Sequence, residues 1–164
     1  MSLFAIIFLG YIVFERLIEL PIANRNTKRL KALGGVEHSP GHYPLIVAVH
    51  TGWIIAMVWW GHNNPVNFVW LGVYAVLQAL RVYIIGTLGQ RWTTRIIVVP
   101  DEEKVAKGPF AVLPHPNYLL VIAEILIAPL VLELWEVAAI FGALNAMVLT
   151  IRISAEERAW AVIN

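Results

Sequence analysis

The sequence predicts an all-α integral membrane protein that crosses the bilayer about five times, on three observations. Of 164 residues, 59% are hydrophobic and 14% charged, and the mean hydropathy is +0.71, more apolar side chain than a core of this size can enclose. Apolar runs of near-spanning length recur between polar punctuation, and about 30 Å of hydrocarbon asks for roughly 20 residues per helical crossing. Lysine and arginine collect in only some of the connecting segments, as they do on the cytoplasmic side of a membrane.

The predicted spans are Leu3 to Ile22, Tyr43 to Trp60, Val66 to Leu88, Tyr118 to Leu132 and Val137 to Ile153. The fourth is short and joins the fifth as a tight hairpin around Glu133 to Glu136, with a four-span arrangement as the alternative. Arg25, Lys28, Arg29 and Lys31 follow the first span, Arg91, Arg95, Lys104 and Lys107 the third, and Arg158 the fifth, whereas Gly61 to Pro65 and Glu133 to Glu136 contain no Lys or Arg. An N-terminus outside and a C-terminus in the cytoplasm satisfy every loop. The first run has neither a basic leader nor a small-residue cleavage pattern, so it is expected to be retained as a span.

Without repeats or long linkers, residues 1–164 read as a single domain. Two cytoplasmic segments, Asn24 to His42 and Gly89 to Asn117, are too long to be turns, and ordered loops of that length tend to carry function. The second combines Arg91-Trp92-Thr93-Thr94-Arg95, a β-branched run from Ile96 to Val99 and an acidic cluster from Asp101 to Glu103, and is expected to rest on the bundle.

Zero cysteines exclude disulfides and thiolate metal sites. The formal net charge of +1 gives no reason to invoke nucleic acid, and the basic residues are accounted for by topology without a lipid-binding role. His38 and His42 do not complete a metal coordination sphere, so no metal is expected. Gly86 and Gly89 are expected to permit close helix packing.

Ionisable side chains inside spans need a partner, a watery cavity or a route to the interface. Arg16 and Glu19 share a helix face with Glu15 and can pair. Arg81 lies about 12 Å of helix rise from the cytoplasmic end of its span, and either a functional or a pairing role is open to it. Glu124, about 10 Å deep by rise, is a natural partner for Arg81 or Arg16. Asn145, Arg152 and Glu156, spaced seven and four apart, form one stripe with Glu157 beside it. Leu113-Pro114-His115-Pro116-Asn117-Tyr118 opens the fourth helix, where backbone N–H groups and the positive dipole end could meet an anion.

The order Lys107-Gly108-Pro109-Phe110, His115-Pro116-Asn117-Tyr118, Arg152 and Glu156-Glu157-Arg158 resembles the isoprenylcysteine carboxyl methyltransferase family of membrane enzymes. Glu15-Arg16-Leu17, Glu19, Asn24-Arg25-Asn26 and the Leu88 to Thr94 segment resemble a small bacterial branch associated with methylating long-chain alkylpyrones made by type III polyketide synthases. Pro114 stands where that family usually has Arg, and Leu120 where the eukaryotic enzymes usually have Gly.

The resemblance implies S-adenosyl-L-methionine bound at a cytoplasmic cofactor-binding loop, with Lys107, Gly108, His115, Asn117, Tyr118 and Glu157 as its contacts. It implies a lipophilic acceptor entering sideways from the bilayer, with Arg81, Arg152 and Glu156 as the catalytic set and Arg81 or Arg152 holding an anionic head. An acidic acceptor is already anionic near neutral pH, so alignment rather than a strong base would matter most. The expected location is the bacterial inner membrane with the active site facing the cytoplasm. The alternatives are a prenylcysteine carboxyl or phospholipid methyltransferase, or a non-catalytic membrane protein of the same fold.

Overall fold

The computed structural model describes residues 2–161. Five α-helices run through them: α1 (Leu3–Ala32), α2 (Tyr43–Gly61), α3 (Phe68–Leu88), α4 (Pro116–Val131) and α5 (Trp135–Ala161). A two-stranded antiparallel clasp is added by β1 (Val36–Glu37) and β2 (Ile97–Val98), with Val36 opposite Val98 and Glu37 opposite Ile97. The expected spans correspond one to one with the helices. α2, α3 and α5 are long and apolar enough to cross a membrane; α4, with 16 residues, is shorter.

One expectation is corrected. The segment from Asn24 to His42 is not a long loop, because α1 continues through Pro21 to Ala32. Proline removes one backbone donor from the helix, but the last turns have their own anchors: Ala23, Asn26 and Leu30 are buried. At about 1.5 Å per residue the 30 residues of α1 carry the helix on to the loop side of the bundle.

The apolar core joins α1, α2, α3, α4 and the start of α5 through Phe8, Ile12, Trp53, Tyr74, Ile125 and Val137, among others. Trp53 also donates from Nε1 to the Ile125 carbonyl at 3.2 Å. Glycine allows close approach at Gly52 against Phe141, Gly61 against Leu132 and Gly142 against Leu126. Gly86 and Gly89, expected to do this, have no neighbour within 4 Å of a built Cβ; Gly89 instead ends α3 with φ +53°.

Inside this core lies an ionic cluster that ties α1 to α3 and α4. Arg81 pairs with Glu19 and Glu124, and its Nε lies 3.2 Å from Glu15 Oε1. Arg16 reaches Glu124 at 2.9 Å and Glu19 at 3.2 Å. Gln78 donates to the second oxygen of the fully buried Glu124 at 3.1 Å, and Tyr11 donates to Gln78 at 3.2 Å. Three carboxylates therefore face two guanidinium groups, a formal charge of −1.

That balance gives an order of sensitivity. Arg81→Met leaves three carboxylates around one arginine and is expected to cost about 3 kcal/mol or more, read by detergent-driven unfolding followed by helical circular dichroism. Glu124→Gln leaves two against two and is expected to cost clearly less; equal costs, or the reverse order, would contradict the charge count.

Candidate functional site

The two ends of the bundle differ. At one, residues 62–67 meet the α4–α5 turn through backbone and Asn side-chain bonds, such as Asn67 N–H to Val131 O at 2.8 Å and Asn64 Nδ2 to Leu132 O at 2.8 Å. At the other, the last turns of α1, the segment between α3 and α4, and the end of α5 come together around a cavity of about 330 Å³.

The segment between α3 and α4 is held from both sides. Asn26 of α1, buried, donates from Nδ2 to the carbonyls of Trp92 at 2.7 Å and Gly89 at 3.3 Å. Thr27 bonds Thr93 at 3.3 Å, and Thr93 accepts from the Arg95 N–H at 2.8 Å. The β-branched run expected to rest on the bundle does so: Ile96 and Val98 pack on Ala155 and Ala159 of α5. Glu37 then binds Lys31 at 2.6 Å and Arg95 at 2.5 Å, while the Arg95 guanidinium lies over the Tyr43 ring, 4.3 Å from its centroid.

Beyond this clasp, Gly108 has φ +56°, and a Cβ there would stand 3.1 Å from the Tyr83 hydroxyl and 3.2 Å from Thr87 Oγ1 of α3. Both the left-handed backbone and the close approach call for glycine. His115 is also left-handed, with φ +55° and ψ +48°, a conformation costing a non-glycine residue about 1 kcal/mol. Its ring stacks on Tyr118 at 5.4 Å between centroids. Its nitrogens lie 3.9 Å from Glu156 and 3.7 Å from Glu157.

Tyr118 is the hub. Its hydroxyl accepts from Arg152 Nε at 2.9 Å and donates to Glu156. Arg152 also donates from Nη1 to the Thr94 carbonyl at 2.8 Å. The phenol thus bridges the Arg152 guanidinium and the Glu156 carboxylate. Arg152 is buried, yet among the described residues no carboxylate forms an ion pair with it.

His115, Asn117, Tyr118, Arg152 and Glu156 thus line one cavity, and Glu157 meets His115 at its margin. Lys107 lines a neighbouring cavity instead, and Gly108 supports the loop against α3. Arg81 is absent from the cavity lining and is engaged by three carboxylates in the core. Of its two open roles the structure gives it pairing. Asn26, Thr94 and Arg95 were not anticipated as contributors, and neither was Trp160 in the cavity wall.

Two expectations test this construction. Asn26→Ala removes a buried bond to the Trp92 carbonyl and a partly buried one to that of Gly89, worth about 1–3 kcal/mol, and is expected to speed amide hydrogen exchange in residues 89–95 while leaving α4 protected. The Lys31 hydrogen bond, joined by Arg95, holds the Glu37 carboxyl below its usual value of 4.5. A depressed folded-state pKa contributes stability above the unfolded value and loses it as pH falls through the folded one. The clasp should therefore hold at neutral pH and open on acidification below about 4.5, and Glu37→Gln should remove that dependence in the exchange of the β2 amides.

The model of the family described as isoprenylcysteine carboxyl methyltransferase matches residues 70–162. This range takes in most of α3, the whole loop, α4 and α5, and leaves out α1 and α2. The chain is 36% identical over 157 residues to YpbQ of Bacillus subtilis (strain 168), an uncharacterized protein, covering 92% of this chain and 93% of that one. It is 25% identical over 163 residues to an uncharacterized protein of Haemophilus influenzae, covering 96% and 95%. No solved structure matches. With the cavity-forming half matched as a unit, the chain belongs to the isoprenylcysteine carboxyl methyltransferase family, a family of membrane methyltransferases.

Proposed function

We propose that the chain is an S-adenosyl-L-methionine-dependent O-methyltransferase acting at the membrane surface on a lipophilic acidic acceptor, with a long-chain alkylpyrone as the favoured acceptor. The observation that carries this reading is the state of Arg152. A buried cation is costly unless an anion meets it, and among the described residues the hydrogen-bond partners of Arg152 are a phenol and a carbonyl. An anionic oxygen at the cavity would complete it.

The residues present fit the cofactor. Its carboxylate suits the N-terminal end of α4 and His115, while its amino and ribose groups suit the carboxylates of Glu156 and Glu157. The walls offer Trp160, Phe110 and Ile97 to an adenine ring. When bound, S-adenosyl-L-methionine supplies an electrophilic methyl group on a sulfonium sulfur.

The chain's own residues do the rest. Arg152 orients the anionic oxygen of the acceptor, and Tyr118 keeps the guanidinium in place through its hydroxyl while Glu156 fixes the phenol. Because the acceptor arrives ionised, no side chain has to remove a proton, and orientation with exclusion of water carries the acceleration. The arginine favours such an acceptor over an amine, whose protonated form it would repel.

This reading takes α1 and α4 as crossings too, making five. It places the cavity on the cytoplasmic side of a bacterial inner membrane, since the basic residues gather at that end and none lies in residues 62–67 or 132–134. It also makes the acceptor-producing partner a pathway of the type III polyketide synthase kind.

The test is transfer of tritiated methyl from S-adenosyl-L-methionine to chloroform-soluble product, in membranes containing the protein and an added alkylpyrone. Arg152→Ala is expected to lose at least about tenfold in rate, with Arg152→Lys recovering only part because one ammonium cannot replace the guanidinium fork. No transfer to any extractable lipid by folded protein would overturn the enzyme reading. Transfer to a lipid amine that climbs steadily through alkaline pH would replace the acidic acceptor with a phospholipid amine.

A further inference from the structure

A second cavity, of about 660 Å³, adjoins the first and shares Leu30, Leu88, Arg91, Glu102, Lys104 and Val105 with it. Its cations come from three parts of the chain: Arg29 from the end of α1, Arg91 from just beyond α3, and Lys104 and Lys107 from the loop. Arg91 is neutralised by Glu102 at 3.0 Å and donates to the Glu103 carbonyl at 2.7 Å. Lys104 lies over the Trp160 ring at 5.3 Å.

Among the described residues the side chains of Arg29 and Lys107 form no hydrogen bond, ion pair or ring contact. With Lys104 they make three cations that no carboxylate neutralises among the described residues, against one unpaired carboxylate, Glu103, which leaves a surplus of two positive charges. The site sits where α3, an apolar helix of spanning length, ends. Thr87 and Leu88 form its floor.

What lies beneath it on α3 favours a lipid over a soluble anion. Val69, Val73, Val76, Leu80 and Tyr83 are all exposed, and their spacing of four, three, four and three residues keeps them on one face of the helix. Thr87, four residues further, continues the same face into the cavity and donates to the Tyr83 carbonyl at 2.8 Å. An apolar track thus runs along the outside of the bundle up to a pocket with excess positive charge.

We propose that this second cavity binds the phosphodiester headgroup of an anionic phospholipid, with the phosphate between Arg29 and Lys107 and an acyl chain along the α3 stripe. The shared chemistry is that of a phosphate oxyanion; the stripe commits the site to a membrane lipid rather than free phosphate. Location on the interface makes each lysine or arginine worth about a fivefold preference for an anionic headgroup. The inference is independent of the methyltransferase reading, since it concerns no residue of the first cavity's Tyr118–Arg152 network.

The experiment is native mass spectrometry of the full chain released from detergent micelles doped with equal amounts of phosphatidylglycerol and phosphatidylcholine, run beside thermal unfolding in each. The expected result is one phosphatidylglycerol retained preferentially, and a higher unfolding midpoint in that lipid than in phosphatidylcholine. Arg29→Gln with Lys107→Gln should lose roughly tenfold or more of the preference while unfolding in phosphatidylcholine at the wild-type midpoint. Equal retention of the two lipids, or a preference untouched by the double variant, would overturn the proposal. So would equal protection by millimolar inorganic phosphate, which would make the site one for a soluble anion. Loss of the lipid preference on saturation with S-adenosylhomocysteine would assign the cavity to the cofactor instead.

Discussion

The interaction on which the rest of the structure depends is the ionic cluster between α1, α3 and α4. Hydrocarbon is the worst solvent for an unpaired charge, so Arg81 and Arg16 fix the positions of Glu15, Glu19 and Glu124 with little freedom. Apolar packing around them, through Phe8, Ile12, Tyr74 and Ile125, would tolerate many exchanges of volume. A charge network that must balance is less forgiving, and it sets how α1 is rotated and how deep it lies against α3 and α4.

That placement matters because α1 does not stop at the ionic cluster. Seven residues beyond Glu19, Asn26 takes hold of the carbonyls of Gly89 and Trp92, and from there the contacts run through Thr94 to Arg152 and through Arg152 to Tyr118 and Glu156. The helix that carries three of the five charges in the cluster is the one that positions the loop over the cavity. α1 lies outside the stretch matched by the family model, so this support comes from a part of the chain that the family model does not describe. Under the proposed function, an anion-handling arginine at the membrane surface would let a lipophilic acceptor keep its tail in hydrocarbon while its head meets the polar groups.

Much of this was legible in the sequence. Apolar run lengths located all five helices, to within a few residues for α2, α3 and α4, and the spacing of Arg152 and Glu156 put both on one stripe of α5, where both line the cavity. Glu124 could be named as a partner for Arg81 or Arg16 because so few carboxylates lie in the spans, whereas the contacts of Arg81 with Glu15 and Glu19 of α1 could not. What was not legible depends on contact between distant segments. Asn26 looked like part of a polar loop because Pro21 and the run of Asn, Arg and Lys suggest a helix end, and its packing against residues 89–92 leaves no local periodic trace. For the same reason Lys107 could not be separated from His115: both precede α4, yet the left-handed turns at Gly108 and His115 send them to different cavities.

The central claim is that the Tyr118–Arg152–Glu156 cavity is a cofactor pocket. Its most direct test is calorimetric titration of the detergent-solubilised chain with S-adenosylhomocysteine, beside His115→Ala and Tyr118→Phe. The account predicts saturable one-to-one binding by the wild-type chain that is weakened in both variants without loss of helical signal. Absence of heat from folded wild-type protein, or equal binding by all three, would contradict it.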